Sequence, residues 1–299
     1  MPRFWTFLVL RDKFSTQRVK EALRMAKGHF ETIKLYNLSV TDLIRLRKIL
    51  QRAPPAVKTL YYETTDCFSI HPFASLGLKS DVLIVRNEDL QGPPISADLV
   101  PLFGPTLRTL SLHRSIPHFD SVYKYAPMLG SLTSLSITGI GFVDVYMLQQ
   151  ITMVEEIILD FKETLCNPNG SHINPSNVSL PSLRVFKLRH VPCPTRMSLP
   201  TLSVHAPKLH TFHLDSTSAT LWLSVFSDHD VPYAIVDFRV DQPNGLGMGL
   251  SHLQPFLCDT IESFALTSVS HDLGPLLKDI HARRLLPRRK HLEFTFNDN

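Results

Sequence analysis

The feature that most constrains the fold of this chain is an apolar pattern that recurs about every 26 residues. In Leu107-x-x-Leu110-x-Leu112 the first, fourth and sixth places are apolar, and the alternation at its end is typical of a short, half-buried strand. The pattern starts again at Leu132, Val154, Leu183, Leu209, Ile235 and Ile261, after gaps of 25, 22, 29, 26, 26 and 26 residues. Such a period indicates a solenoid, in which stacked repeats bury a core that none of them can bury alone.

The rest of the chain follows the same pattern with weaker residues. Further copies start at Trp5, Phe30, Val57 and Ser80, and we place a last copy at His291. We therefore predict one degenerate solenoid over residues 1–299 with about 12 repeats. An inserted loop near 162–180, which contains Asn167-Pro168-Asn169-Gly170, explains the gap of 29 residues.

The segments between the predicted strands are helical in several repeats. A helix is predicted from Ser15 to Lys27, with Ser15 as its cap, and another from Thr41 to Arg52. Five further candidates cover residues 120–126, 144–151, 219–226, 253–257 and 273–285. Residues 189–200 contain three prolines and cannot be helical. The predicted fold is α/β, with a parallel β-sheet on the concave face and helices and irregular turns on the convex face.

Composition restricts the class of protein. Hydrophobic residues make up 43% of the chain and charged residues 19%, which is typical of a folded protein. The four cysteines form no C-x-x-C pair, so we expect neither a zinc site nor a disulfide framework and favour a cytoplasmic or nuclear protein. No apolar run has the roughly 18 residues that a transmembrane segment needs.

The charge is distributed unevenly. Residues 1–60 contain 13 Lys and Arg against 4 Asp and Glu, a net charge of +9, which leaves −5 for the rest. Most of the excess lies on the two predicted N-terminal helices, in Arg18, Lys20, Arg24, Lys27, Arg45, Arg47, Lys48 and Arg52. These helices present either a solvated basic face or a module that binds acidic surfaces. The overall charge of +4 is too small to imply nucleic acid.

The main enzymatic candidate is the glycine-rich segment Gly245-Leu246-Gly247-Met248-Gly249. It follows a predicted strand, as a dinucleotide-binding loop does, but its third glycine comes one residue early and no Walker lysine follows. We interpret it as a turn between repeats and keep a nucleotide-binding enzyme as the alternative. The 14 histidines show no ligand spacing, and G-x-S-x-G and H-E-x-x-H are absent. We expect no catalytic residue, no cofactor and no metal.

The repeat itself indicates a candidate binding face. If places four and six are buried, places three, five and seven face the opposite, concave side. The candidate partner-binding residues are Glu156, Asp160, Lys187, Arg189, His213, Asp215, Asp237, Arg239 and Asp241. Charges of both signs suit a peptide or protein more than a polyanion. Alternatively, neighbouring repeats neutralise each other, with Arg189 paired to Asp215 and Arg239 to Asp215 or Asp241. Such exposed pairs contribute only about 0–1 kcal/mol.

The pattern Leu107-x-x-Leu110-x-Leu112 and its copies resemble leucine-rich repeats over nearly the whole chain. Ala126-Pro127, Leu180-Pro181 and Ala206-Pro207, each just before a strand, are similar to repeats of fungal and plant F-box proteins. The segment from Phe4 to Leu10 resembles the one that follows the F-box in fungal members.

This resemblance implies a horseshoe-shaped solenoid that serves as a non-catalytic scaffold for protein recognition. It would be the substrate-binding part of an F-box receptor of a cullin-RING ubiquitin ligase, with an unknown protein as its substrate. The F-box itself is missing from the chain. A Skp-type adaptor is therefore expected as a partner only if an F-box is encoded upstream.

Overall fold

The computed structural model describes residues 6–52, 54–88, 95–97, 99–117, 129–139, 148, 150–160, 176–191, 202–216, 235–242, 260–268, 274–282 and 286–296. The chain forms two compact units, Met1–Ile140 and Gly141–Asn299. Each unit contains a parallel sheet of strands that follow one another at the spacing of the sequence repeat, together with helices. The α/β class and the parallel sheet are thus confirmed.

The sheet of the first unit has six described strands that pair in the order β1-β2-β3-β4-β6-β8. They are β1 (Phe7–Arg11), β2 (His29–Tyr36), β3 (Ala56–Thr64), β4 (Ser80–Asn87), β6 (Thr109–His113) and β8 (Ser134–Thr138). Their register is that of the repeat, because Leu8 lies opposite Ile33, Ile33 opposite Leu60 and Leu60 opposite Leu83. Equivalent places of successive repeats are therefore direct neighbours.

Serine side chains cap the first two helices of the first unit, Ser15 as the sequence predicts and Ser39 without such a prediction. The helices are α1 (Thr16–Met25), α2 (Val40–Leu50) and the short α3 (Ile70–Ala74), with 3-10 turns at Cys67–Ser69 and Val100–Leu102. The Ser39 hydroxyl accepts a hydrogen bond from the Asp42 backbone N–H at 3.2 Å and donates one to the Asp42 carboxylate at 2.8 Å. The first of these bonds satisfies a backbone N–H that the first helical turn leaves unpaired. The sequence pattern did not predict α3.

The second unit repeats the arrangement with its own six described strands, in the order β9-β11-β13-β14-β15-β16. They are β9 (Glu156–Asp160), β11 (Val185–Val191), β13 (Thr211–Ser216), β14 (Asp237–Gln242), β15 (Ser263–Ser268) and β16 (His291–Phe296), with helix α4 at Gly274–His281. The fourth place of four successive repeats is a buried phenylalanine. Ring centroids lie 6.0 Å apart for Phe186 and Phe212, 5.7 Å for Phe212 and Phe238, and 5.9 Å for Phe238 and Phe264. We call these four residues the phenylalanine ladder.

The predicted register of the last repeat is wrong by two residues. Leu292 lies opposite Phe264 and Phe294 opposite Leu266, so the fourth and sixth places are 292 and 294. Two phenylalanines at 294 and 296 imitate the pattern, but the turn before the strand fixes the register. The buried Leu286 accepts a hydrogen bond from the Arg289 backbone N–H, just as Leu180 accepts one from Leu183.

The inserted loop predicted near 162–180 is wrong at its end. Ser176–Ser179 form a strand, β10, that pairs in parallel with β12 (Leu202–His205), outside the main sheet. Val178 and Val204 are buried, so this pair contributes to the core where other repeats have helices. The first unit has a similar pair, β5 (Ile95–Ala97) with β7 (Ser115–Pro117). Residues 162–175 lie outside the described part of the chain.

Of the other predicted helices, 273–285 corresponds to α4, and residues 148 and 150 of the candidate 144–151 are helical. The candidates at 120–126, 219–226 and 253–257 lie outside the described residues. Among the described helices, none has the length and apolar character needed to cross a membrane.

Candidate functional site

The polar face of each sheet carries three rows of side chains in register. Strands such as β6, β8 and β9 alternate between half-exposed and buried residues, and the buried ones are places four and six. Places three, five and seven therefore face the other side, which confirms the predicted parity. Because successive strands pair place by place, each row runs across the strands with a spacing of roughly 4.8 Å.

One polar group of the second unit consists of His213, Asp237 and Arg239, which we call the His-Asp-Arg cluster. His213 Nε2 lies 3.0 Å from Asp237 Oδ2, and Arg239 Nε donates to Asp237 Oδ1 at 3.4 Å. His213 comes from β13 and the other two from β14, where Arg239 is the residue directly opposite His213. The Asp237 carboxylate thus contacts the His213 imidazole diagonally across on β13 and the Arg239 guanidinium on its own strand.

Partial burial determines the charge of this cluster. Burial lowers the pKa of His213 below its ordinary value, an effect that the cations Arg239 and Lys187 reinforce and that Asp237 opposes. For Asp237 burial raises the pKa, but hydrogen bonds from His213 and Ser263 and the charge of Arg239 outweigh it, so the pKa is lowered. At neutral pH a neutral imidazole therefore donates its Nε2–H to an ionised carboxylate.

The remaining predicted residues lie on the same face with different surroundings. Lys187 Nζ lies 4.0 Å from Glu156 Oε1, across neighbouring strands, and both side chains are partly exposed. Arg189 is opposite Asp160 in the backbone register. Asp215 is opposite Asp241 in the backbone, and their side chains lie outside the described part of the structure.

The ion pairs predicted for Arg189 and Arg239 involve Asp215 or Asp241, whose side chains lie outside the described part of the structure, so these pairs stay predictions. The described partner of Arg239 is Asp237, two residues earlier on its own strand, and sequence reasoning considered only Asp215 and Asp241. Because a strand places residues i and i+2 on one face, the alternation of the strand could have predicted that Asp237 and Arg239 are neighbours. Side-chain direction, which the pattern does not specify, brings the Arg239 guanidinium to the Asp237 carboxylate.

The described residues contain no group of three or more His, Cys, Asp or Glu side chains that could hold a metal ion. The glycine-rich segment Gly245–Gly249 lies outside the described residues. The arrangement at the His-Asp-Arg cluster is suited to recognition, because it offers a fixed cation and a neutral imidazole, both partly exposed, to a ligand lying on the sheet.

An open pocket of about 390 Å³ lies at the edge where the strands of the second unit begin. It is lined by Glu155, Ser182, Arg184, Lys208 and His210, and sequence reasoning did not select any of them. Glu155, Arg184 and His210 occupy the second place of successive repeats, which explains why they converge.

The polar face of the first unit carries an aromatic group that sequence reasoning also missed. The rings of Tyr36 and Tyr61 are tilted by 49° with centroids 5.4 Å apart. The Arg11 guanidinium lies 5.5 Å from the centre of the Tyr36 ring, and the Lys34 ammonium 5.9 Å from that of Tyr61. We call these four residues the aromatic-cation patch. The sequence could have indicated them, because they occupy places five and seven of the first three repeats, which face the polar side.

No protein-family model, no curated protein and no solved structure matches this chain. The family resemblance therefore rests on the sequence patterns alone and remains a prediction.

Proposed function

We propose that the chain is a leucine-rich-repeat solenoid, with its sheet on the concave side of a horseshoe, that acts as a non-catalytic scaffold for protein recognition. The observation that carries the proposal is the polar face of the second unit. Rows in register there present partly exposed charges of both signs next to one another. The His-Asp-Arg cluster holds its side chains in place before a ligand binds, which reduces the entropy lost on association.

The charge pattern favours a protein or peptide as the ligand. A polyanion would require a run of cations, and here Glu156, Asp160 and Asp237 alternate with Lys187 and Arg239. A peptide can satisfy such a face with its own side chains of both signs, and complementary charges determine specificity more than affinity. The partner is thus a protein substrate.

The repeats resemble the substrate-binding part of a fungal F-box protein. By that resemblance the scaffold supplies the substrate half of a cullin-RING ubiquitin ligase receptor, and it recruits a Skp-type adaptor only if an F-box lies upstream. A location in the cytoplasm or nucleus belongs to the same proposal. Copurification with a Skp adaptor tests the ligase link, and failure to bind reduces the proposal to an interaction module.

Site-specific photo-crosslinking tests the proposed face. We would place a photoreactive amino acid at position 189, on the polar face, and as a matched control at position 278, on the exposed surface of α4. We expect a discrete crosslinked partner from position 189 only, and its loss when Arg239→Glu is added. Equal crosslinking from both positions, or no effect of Arg239→Glu, would show that the polar face is not the binding surface.

The basic N-terminal helices provide a second candidate function, the binding of an acidic surface. All eight cations predicted on them are exposed, and so are Met25 (44%) and Ile44 (47%), which lie among those cations on α1 and α2. Anionic vesicles of phosphatidylserine and phosphatidylcholine should retain the chain at low salt and release it at high salt. Retention that does not depend on salt would refute this candidate.

A further inference from the structure

The aromatic-cation patch belongs to a regular grid of side chains in the first unit. The seventh-place row runs Arg11, Tyr36, Glu63, Arg86, and the fifth-place row begins Val9, Lys34, Tyr61. Each cation of the patch therefore lies one strand away from the ring that it covers.

The charges of this grid are not balanced. The Tyr61 hydroxyl donates to the Glu63 carboxylate, and Arg86 Nε lies 3.6 Å from Glu88 Oε1, so these acidic groups are engaged. Among the described residues, Arg11 and Lys34 form an ion pair with no carboxylate and lie against tyrosine rings instead. A cation over a ring is held in position and still has free donors for an anion.

Apolar surface borders the two cations. Phe7 is 63% exposed and Val9 is 52% exposed, although both belong to a strand of the sheet. They share one face of β1 with Arg11, because residues two apart on a strand point the same way. Val9 also lies directly opposite Lys34 in the neighbouring strand. Val9 thus lies roughly 5–7 Å from a cation both along its own strand, at Arg11, and across to the next strand, at Lys34.

We propose that this surface binds an extended acidic segment of a partner protein, in which an Asp or Glu lies two residues from a large apolar side chain. The carboxylate pairs with Arg11 and Lys34, and the apolar side chain covers Val9 and Phe7. The i, i+2 spacing of an extended peptide matches the spacing of Val9 and Arg11 on β1. Tyrosine and arginine are also the residue types that contribute most to binding at protein interfaces.

This inference goes beyond the proposed function, because it concerns the face of the other unit and specifies the chemistry of the partner. The two stand on different residues and can fail separately. The Arg239→Glu variant, which disrupts the proposed face of the second unit, should leave the binding of acidic peptides unchanged.

Selection from a random 12-residue peptide library on the full chain tests the inference. We expect the selected peptides to be enriched in Asp or Glu two positions from Leu, Ile, Phe or Trp. In fluorescence anisotropy with one selected peptide, Lys34→Glu and Arg11→Glu should each weaken binding about tenfold or more. The matched control is Lys278→Glu, which makes the same single charge reversal on the exposed surface of α4 and should bind like the wild type.

A second pair of variants separates recognition from folding. Tyr36→Phe keeps the ring beneath Arg11 and should bind within about twofold of the wild type, whereas Tyr36→Ala removes the ring and should weaken binding about tenfold. Circular dichroism of each variant shows whether the sheet is intact. The inference is overturned if selection yields no acidic enrichment, if Arg11→Glu and Lys34→Glu bind normally, or if the control variant on α4 is the one that loses binding.

Discussion

The phenylalanine ladder predicts a specific pattern of energetic coupling between repeats. Phe212 and Phe238 are fully buried and stacked, with an angle of 13° between their rings. An aromatic pair of this kind contributes about 0.5–1.5 kcal/mol beyond the burial of its area. Phe238 forms such a pair on both sides, so Phe238→Leu should lose about 1–3 kcal/mol of ring contacts. The change of shape should add up to about 1.5 kcal/mol to the loss of unfolding free energy.

A double-mutant cycle isolates the ring contact from the change of shape. For Phe212→Leu and Phe238→Leu, we expect the double variant to be less destabilised than the sum of the single variants, by about 0.5–1.5 kcal/mol. The control cycle uses Phe186 and Phe264, which share no ladder neighbour and lie on strands separated by β13 and β14, so that their rings are on the order of 15 Å apart. That pair should be additive within about 0.5 kcal/mol.

Urea unfolding followed by far-ultraviolet circular dichroism measures each free energy. Amide hydrogen exchange in β13, β14 and β15 provides a local measurement if the two units unfold separately. Additive behaviour of Phe212 and Phe238 would refute the reasoning, because the adjacent rings would then contribute only through their buried area. Equal coupling in the control cycle would also refute it, since the effect would then be a general response of the unit.

Three further predictions concern individual residues. Gly139 has φ +69° and an added Cβ would lie 2.6 Å from Arg114 Cγ, so Gly139→Ala should destabilise the chain by about 1–3 kcal/mol in urea. Ser39→Ala removes the cap of α2 and should lower the unfolding free energy by about 1 kcal/mol, whereas Ser39→Asn should nearly restore it. Burial lowers the pKa of His213 below 6.5, so its neutral form is favoured in the folded state. The stability that it contributes is therefore present above about pH 6.5 and is lost as the pH falls through the folded pKa. An imidazole NMR titration with a midpoint above 6.5 would contradict this, and Asp237→Asn should lower the midpoint further.

The repeat pattern predicted the main strands because burial alone determines them. Apolar residues at places four and six were enough to place Leu60 opposite Leu83 and Phe212 opposite Phe238. The pattern was wrong where the sequence imitates it, at Phe294, and missing where short elements have no period of their own, as in β10.

For the candidate site, the sequence could predict only which residues lie on the polar face of the sheet. The sequence identified which residues face the polar side, because alternation is a property of any strand. It did not identify the contact between Arg239 and Asp237, since that contact depends on side-chain rotamers. It also passed over Tyr36 and Tyr61, whose significance lies in the cations that neighbouring strands place over their rings.

The strict register between strands has a consequence for how this protein can change over generations. Paired residues of β3 and β4 are 23 positions apart in the sequence, and those of β9 and β11 are 29 apart. In both pairs, equivalent places of the repeat nevertheless lie opposite each other. Insertions and deletions in the connecting segments are therefore absorbed without displacing the rows of the sheet. A lineage can thus change the length of a connector without displacing these rows, and vary the polar face one residue at a time.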